Sequence, residues 1–467
     1  MMTKIKMQEH ADKVLVVQKQ TRSFFDLKER ARVFHGNTNT TRNNQKNPKR
    51  LIDISALDGV IEVNVKEMFV VVEPNVSMNV LVDVLLPLGF APPVVPEFPS
   101  ITVGGAVQGG AGESSSFKYG CVNNACVEYE IVLANGTVTT ASKTENLDLY
   151  NSIPGSCGSI GVITLVKMRI VPAKPFIKLT YQSVNSYQEA VDVITEKTNS
   201  SVDFIDGIMY SKTHGVIMMG SFCQEKQRKH ATFHKPTDDW FYLHAQRKSK
   251  NGQPHSETIP TKDYYFRYDK GGFWVARYGF SIFLVPFTRL SRFVFAGLLR
   301  TKTLYSFLHG AKLSQAFVIQ DICLPEKSVV SFMEYNENNL NIYPLWLCPL
   351  KPDSDSYLSP TFIDTRLVIN VGIWGKLDEK YNQFVTKNRE LETKVAILGG
   401  RKVLYAHAYY TEPEFWDLYD EGKYIATRRK YNAEITFPSV YEKTHVAEKY
   451  KPSIFKGLMQ ILSSDTH

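Results

Sequence analysis

The sequence predicts an α+β protein of two domains: a mixed first domain, then a second built on an antiparallel sheet covered by helices. Three observations carry this expectation. At 467 residues the chain is longer than one ordinary hydrophobic core fills. From Phe176 to about Val403, β-branched strand-like runs alternate with helical stretches such as Lys380–Leu391. Pro172-Ala173-Lys174-Pro175 reads as a linker, which sets the boundaries at 1–175, 176–403 and a segment 404–467 that completes the second site or packs back on the first domain.

Taken in order, a basic amphipathic N-terminal stretch leads to the strand-like Leu51-Ile52-Asp53-Ile54. Phe69-Val70-Val71-Val72-Glu73 reads as a buried strand. Ser77 then caps a helix whose apolar face is Met78, Leu81, Val82 and Leu85, stopped near Pro87 and Gly89. Ile131-Val132-Leu133 and Val138-Thr139-Thr140 flank Asn135-Gly136, a strong short-range hairpin signal. Leu165–Val171 reads as a further strand.

Composition narrows the function classes. The chain is 43% hydrophobic and 22% charged, a normal globular balance, and Lys+Arg 55 against Asp+Glu 47 gives +8. That modest surplus suits an anionic cofactor or an acidic membrane surface; it lacks the basic and aromatic interleaving of a nucleic-acid groove, so no nucleic acid is expected. Cys121, Cys126, Cys157, Cys223, Cys323 and Cys348 have no C-x-x-C spacing, so neither a metal site nor a disulfide framework is expected. With neither a signal peptide nor a transmembrane run visible, the reading places the protein in the cytoplasm or at a membrane surface.

The chemistry concentrates in three glycine-bearing stretches. Thr102, Val103, Gly104, Gly105, Ala106, Val107, Gln108, Gly109, Gly110, Ala111, Gly112, Glu113 and Ser114 form a loop-like run in which small residues let backbone N–H groups approach an anion. A P-loop is excluded, because Ala111 and Gly112 stand where Gly105 and Gly110 would demand Lys and Ser/Thr. A dinucleotide-type Rossmann turn is excluded because no helical stripe follows. His35, Gly36, Asn37, Thr38, Asn39, Thr40 and Thr41 make a second polar turn, and Gly158, Gly161, Val162 and Thr164 a third element that calls for close backbone approach.

In their order and separations these stretches, with Lys118–Gly120 and Asn135-Gly136, resemble the PCMH-type FAD-binding domain of the vanillyl-alcohol-oxidase superfamily. Asp263–Arg267, Val318–Asp321, Tyr343–Pro349, Glu414–Asp417 and Phe437–Tyr441 are similar to stretches of the Δ24-sterol reductases, the seladin/diminuto group. The resemblance spans nearly the whole chain and is weakest at Lys226–His255. It implies an FAD-dependent oxidoreductase that reduces an isolated side-chain double bond of a sterol-like lipid, with NADPH as hydride source. With no Cys before Thr102, and His35 ahead of its glycine, noncovalent FAD is expected.

Hydride delivery to an unactivated alkene also needs a proton donor. Tyr264, Arg267, Asp321 and Tyr343 are the candidates, alongside Gln320, His407 and Glu414; each reads more readily as a satisfied buried polar group. The aromatic stretch Phe273–Pro286, followed by basic residues to Lys302, reads either as a peripheral membrane contact over 273–302 or as helices packed over the pocket. Two other functions stay open: a flavin-dependent alcohol or sugar oxidase or dehydrogenase, and a non-catalytic sterol- or partner-binding relative.

Overall fold

The computed structural model describes residues 2–36, 40–41, 47–250, 252–446 and 448–464. Among these, two antiparallel sheets organise the molecule. The first has five strands in the order 60–64, 69–72, 162–169, 126–132 and 138–142. Its hairpin closes at the expected dipeptide: Gly136 holds φ +78, and Leu133 N–H donates to Thr137 O at 2.8 Å. The helix Met78–Leu85 packs Met78, Leu81, Val82 and Leu85 into this core, capped by Ser77 and ended by left-handed Gly89.

The second sheet has eight strands, ordered 255–260, 176–184, 214–223, 204–211, 345–350, 368–376, 317–325 and 401–402. Helices Tyr187–Lys197, Val329–Asn339 and Tyr381–Ile397 bury Ile194, Phe332, Leu391 and Val395 in one core with strand residues such as Ile205, Ile322 and Val371. Helices therefore cover the sheet, as the mixed pattern of this region leads one to expect.

Two connections tie the ends of the chain into the first sheet. The N-terminal helix Met2–Asp26 buries Val14 and Val17 against Val132, Val162 and Phe437. Buried Arg428 donates to Phe437 O at 2.7 Å and also to Ser159 O, so the C-terminal helices stand against the loop that precedes strand 162–169.

One expectation is corrected. The stretch read as a glycine loop is in part a helix, Val103–Gly109. Thr102 Oγ1 caps it by accepting from Gly105 N–H at 3.2 Å, and Gly110 ends it at φ +66. Glycine is a poor helix former, so burial of Val103 and Val107 supplies what propensity does not.

Candidate active site

A continuous cavity of about 700 Å³ lies between the two sheets and is lined from both. One part of its wall is the helix Val103–Gly109. Gly105 and Gly109, four residues apart, share a face of that helix and both line the cavity. A Cβ at Gly109 meets nothing within 4 Å, and one at Gly105 meets only Thr102 Oγ1, at 3.0 Å. The glycine face thus leaves room that side chains would fill, which fits the flat, anionic body of a nucleotide cofactor. Other glycines serve packing: a Cβ at Gly104 would stand 2.7 Å from Pro74 Cβ, and one at Gly110 would stand 2.6 Å from Pro360 Cδ.

Further walls come from distant segments. Arg32, His35 and Lys443 bring basic groups, the last donating to Gly158 O at 3.0 Å. Cys157 and Gly158, both at positive φ, turn the chain beside Gln108, whose carbonyl accepts from Cys157 N–H at 3.2 Å. Most of the remaining lining is aromatic and aliphatic, including Phe273, Phe280, Phe295, Tyr305, Phe307 and Phe317. Basic groups beside a glycine face suit a pyrophosphate, and the apolar arm suits a water-insoluble ligand.

Into this apolar wall open two carboxyls, Glu97 and Asp321. Asp321 accepts from Asn370 Nδ2 at 2.7 Å and from Tyr405 Oη at 2.8 Å, and Trp374 Nε1 donates to the same Tyr405 oxygen at 3.2 Å. Burial pushes the Asp321 carboxyl up to about 6 against the pull of these two hydrogen bonds. Burial likewise pushes Glu97 up to about 8, which favours its neutral form near neutral pH. The Tyr405 hydroxyl is raised well above its ordinary value by burial and by the neighbouring Asp321 charge.

The positions singled out in the sequence fall into three groups. His35, Thr40, Thr102, Gly104, Gly105, Ala106, Gln108, Gly109, Gly110, Ala111, Gly112, Gly158, Val162 and Asp321 line the cavity. Asn37, Thr38 and Asn39 lie outside the described residues. The rest stand behind the wall or away from it. Val103 and Val107 are core; Gly36 turns at φ +79, and Thr41 N–H reaches Tyr405 O at 3.2 Å. Gly161 is closed off by Ile131, and Thr164 donates to Glu130 Oε1 at 2.6 Å.

Glu113 and Ser114 join a buried cluster instead. Arg267 Nη2 donates to Glu113 Oε1 at 2.8 Å and to Asp206 Oδ2 at 2.9 Å, while Tyr264 Oη lies 3.1 Å from Ser114 Oγ. Tyr268 and Trp346 also donate to Asp206. The proton-donor candidates Tyr264 and Arg267 are therefore turned into this cluster, away from the cavity wall, because two buried carboxylates demand a cation. Tyr343 is hydrogen-bonded to Tyr187 and Glu337 on the far side of the sheet. The sequence reading missed Asn370, Trp374, Tyr405, Lys443 and the wall given by helix Ile454–Ser464.

Comparison with known proteins matches residues 17–142 to the family model of an FAD binding domain, whose span covers the glycine face. Delta(24)-sterol reductase of Homo sapiens is 31% identical over 418 residues, 87% of this chain and 79% of that one. The Delta(24)-sterol reductase homolog of Caenorhabditis elegans is 30% identical over 410 residues, covering 82% and 77%. Delta(24)-sterol reductase of Arabidopsis thaliana is 28% identical, covering 86% and 78%. With the glycine face, the basic groups beside it and this end-to-end similarity, the chain belongs to the Delta(24)-sterol reductase family.

Proposed function

We propose that the protein is an FAD-dependent reductase of an isolated side-chain double bond in a sterol-like lipid, with NADPH as hydride source. The observation that carries this is the single continuous cavity in which the glycine face, the aromatic arm and the Asp321–Tyr405 pair all open. In this reading FAD is held along 102–112, by His35 and Thr40 and by Cys157, Gly158 and Val162, with Arg32 and Lys443 facing its phosphates. Residues 1–175 hold the cofactor, 176–403 the lipid, and 404–467 supply Tyr405 and Lys443 to both.

When bound, reduced FAD supplies the hydride. An isolated alkene has no electron-withdrawing neighbour, so as one carbon gains a hydride the other must gain a proton. Tyr405 Oη gives that proton, forming the second C–H bond from the π electrons, and recovers one from the Asp321 carboxyl 2.8 Å away. Asp321 must be neutral for this direction of transfer, since its carboxylate would hold the Tyr405 proton. Asn370 and Trp374 fix the pair in place. The aromatic arm excludes water and aligns the rigid lipid body.

Residues 273–302 divide in two. Phe273, Trp274 and Phe280 are buried, and Trp274 Nε1 donates to Trp374 O at 3.0 Å, so this part packs over the pocket. The exposed remainder, 283–298, is the part we assign to membrane contact.

Anaerobic half-reactions test the proposal. NADPH is expected to bleach the flavin absorbance, and a Δ24 sterol to restore it, with one solvent deuterium carried into the product in D₂O. Tyr405→Phe is expected to slow the sterol step by on the order of 10²-fold or more while leaving reduction by NADPH unchanged. Rapid oxygen-dependent turnover of an alcohol, with no reoxidation by any Δ24 sterol, would move the assignment to an oxidase.

A further inference from the structure

We propose that helix Ile454–Ser464 and the segment 283–298 together form a docking face for an anionic lipid bilayer, and that the cavity opens between them so that the lipid enters without crossing water. The identity of the lipid rests on the reductase reading; the docking face does not. Both elements contribute to the cavity wall, the one through Leu458 and Ile461, the other through Phe283, Phe295 and Leu298. Both also turn large apolar side chains outward: Leu284 is 91% exposed, Phe455 73% and Leu290 72%. Leu284 does so at φ +53, a strained backbone for a branched residue, and gains no burial in return.

The helix is fastened to the molecule by its opposite side. A Cβ at Gly457 would stand 2.7 Å from Ala311 Cβ, and one at Gly310 would stand 2.6 Å from Gln460 Cβ, so it packs closely on helix Thr301–Ala311. Ser453 N–H donates to Ala311 O at 2.8 Å. With Gly457 facing inward, Phe455, Leu458 and Met459 turn away from the helix's anchored side, and these three and Ile454 in its first turn are all exposed. An apolar outer face on an interfacial helix is stable against acyl chains rather than water.

Charge selects the occupant. No acidic residue stands between Asp269 and Asp321, nor between Glu448 and Asp465. Arg289, Lys302, Lys451 and Lys456 are exposed around the apolar face. Arg292 and Arg300 are already neutralised by Asp239 and Asp269. An anionic headgroup layer complements this rim. A second copy of the chain would bring the same positive rim against itself.

The test is co-sedimentation of the full chain with neutral phosphatidylcholine vesicles and with vesicles that also contain phosphatidylserine. Wild type is expected to favour the anionic vesicles and to be released by salt. Leu284→Glu with Phe455→Glu is expected to weaken binding at least tenfold, and Arg289→Glu with Lys456→Glu to abolish the anionic preference. Both variants are expected to keep full flavin content and wild-type reduction of detergent-dispersed sterol. Sedimentation of either variant like wild type, or a wild type that binds neither vesicle, overturns the proposal. So does a dimer that the variants dissociate while vesicle binding stays unchanged, which would make the face a self-association surface. Vesicle binding without any sterol turnover would instead sink the reductase reading and leave the docking face standing.

Discussion

Asp321 is a carboxyl held by an amide and a phenol inside an apolar wall, and in the proposed mechanism its protonation sets the direction in which the Tyr405 proton moves. Its carboxyl is pushed up to about 6 by burial, so the proton-relaying form is present below that pH and is lost above it. The sterol step is therefore expected to be flat at low pH and to fall as pH rises through about 6. In Asp321→Asn that limb should disappear and the rate should drop on the order of 10²-fold or more, measured by stopped-flow reoxidation across pH. A limb that survives the substitution would remove Asp321 from the role. Asp321 was legible as a polar residue in the Val318–Asp321 stretch that resembles the Δ24-sterol reductases. Asn370 and Tyr405 were not. Asn370 comes to the site through sheet register, paired with Cys323, and Tyr405 lies 84 positions from Asp321 along the chain. Tyr264 and Arg267 read as site residues because buried charge and function leave the same mark in a sequence.

At the scale of elements, the glycine run shows where local pattern fails. A strand with β-branched residues, a Ser-capped amphipathic helix and an Asn-Gly turn announce themselves, and all three stand where expected. A seven-residue helix with three glycines does not, because its stability is tertiary: a cap from Thr102, buried Val103 and Val107, and close packing on Pro74. The geometry separates two glycines that looked alike. Gly105→Val fills cavity space and should remove flavin while leaving the thermal midpoint of the apoprotein little changed. Gly110→Ala puts a side chain at φ +66 against Pro360 and should instead destabilise the fold by about 1–3 kcal/mol, read by urea denaturation. Equal flavin content in Gly105→Val and wild type would contradict the placement of the cofactor on this face.

At the scale of the whole molecule, apolar contacts, ion pairs and hydrogen bonds join the parts, and none of these joints was visible in the sequence, since their members lie far apart in the chain. His10 on the N-terminal helix reaches Glu73 Oε1 at 2.8 Å and Glu130 Oε1 at 3.0 Å. Burial opposes its charge, but the hydrogen bonds it donates to Glu130 and Glu73 outweigh burial and raise it from 6.5 to about 9. Because the folded value is the higher one, the stabilisation is complete below about 6.5 and is lost as pH rises through about 9. Thermal midpoints of wild type should fall over that window and those of His10→Gln should not. Arg267→Met should cost about 3–5 kcal/mol, because it leaves Glu113 and Asp206 buried without their cation, and the loss should appear in the urea midpoint. That cluster has a thermodynamic consequence. Glu113 belongs to the glycine run and Asp206 to the eight-stranded sheet, so order in the glycine run and order in that sheet share one set of contacts. Free FAD, binding only the folded form, should then raise the melting temperature of the entire chain in proportion to the logarithm of its concentration. Calorimetry should record one cooperative transition at every concentration; two transitions, with only one of them moving, would mean that the halves melt independently.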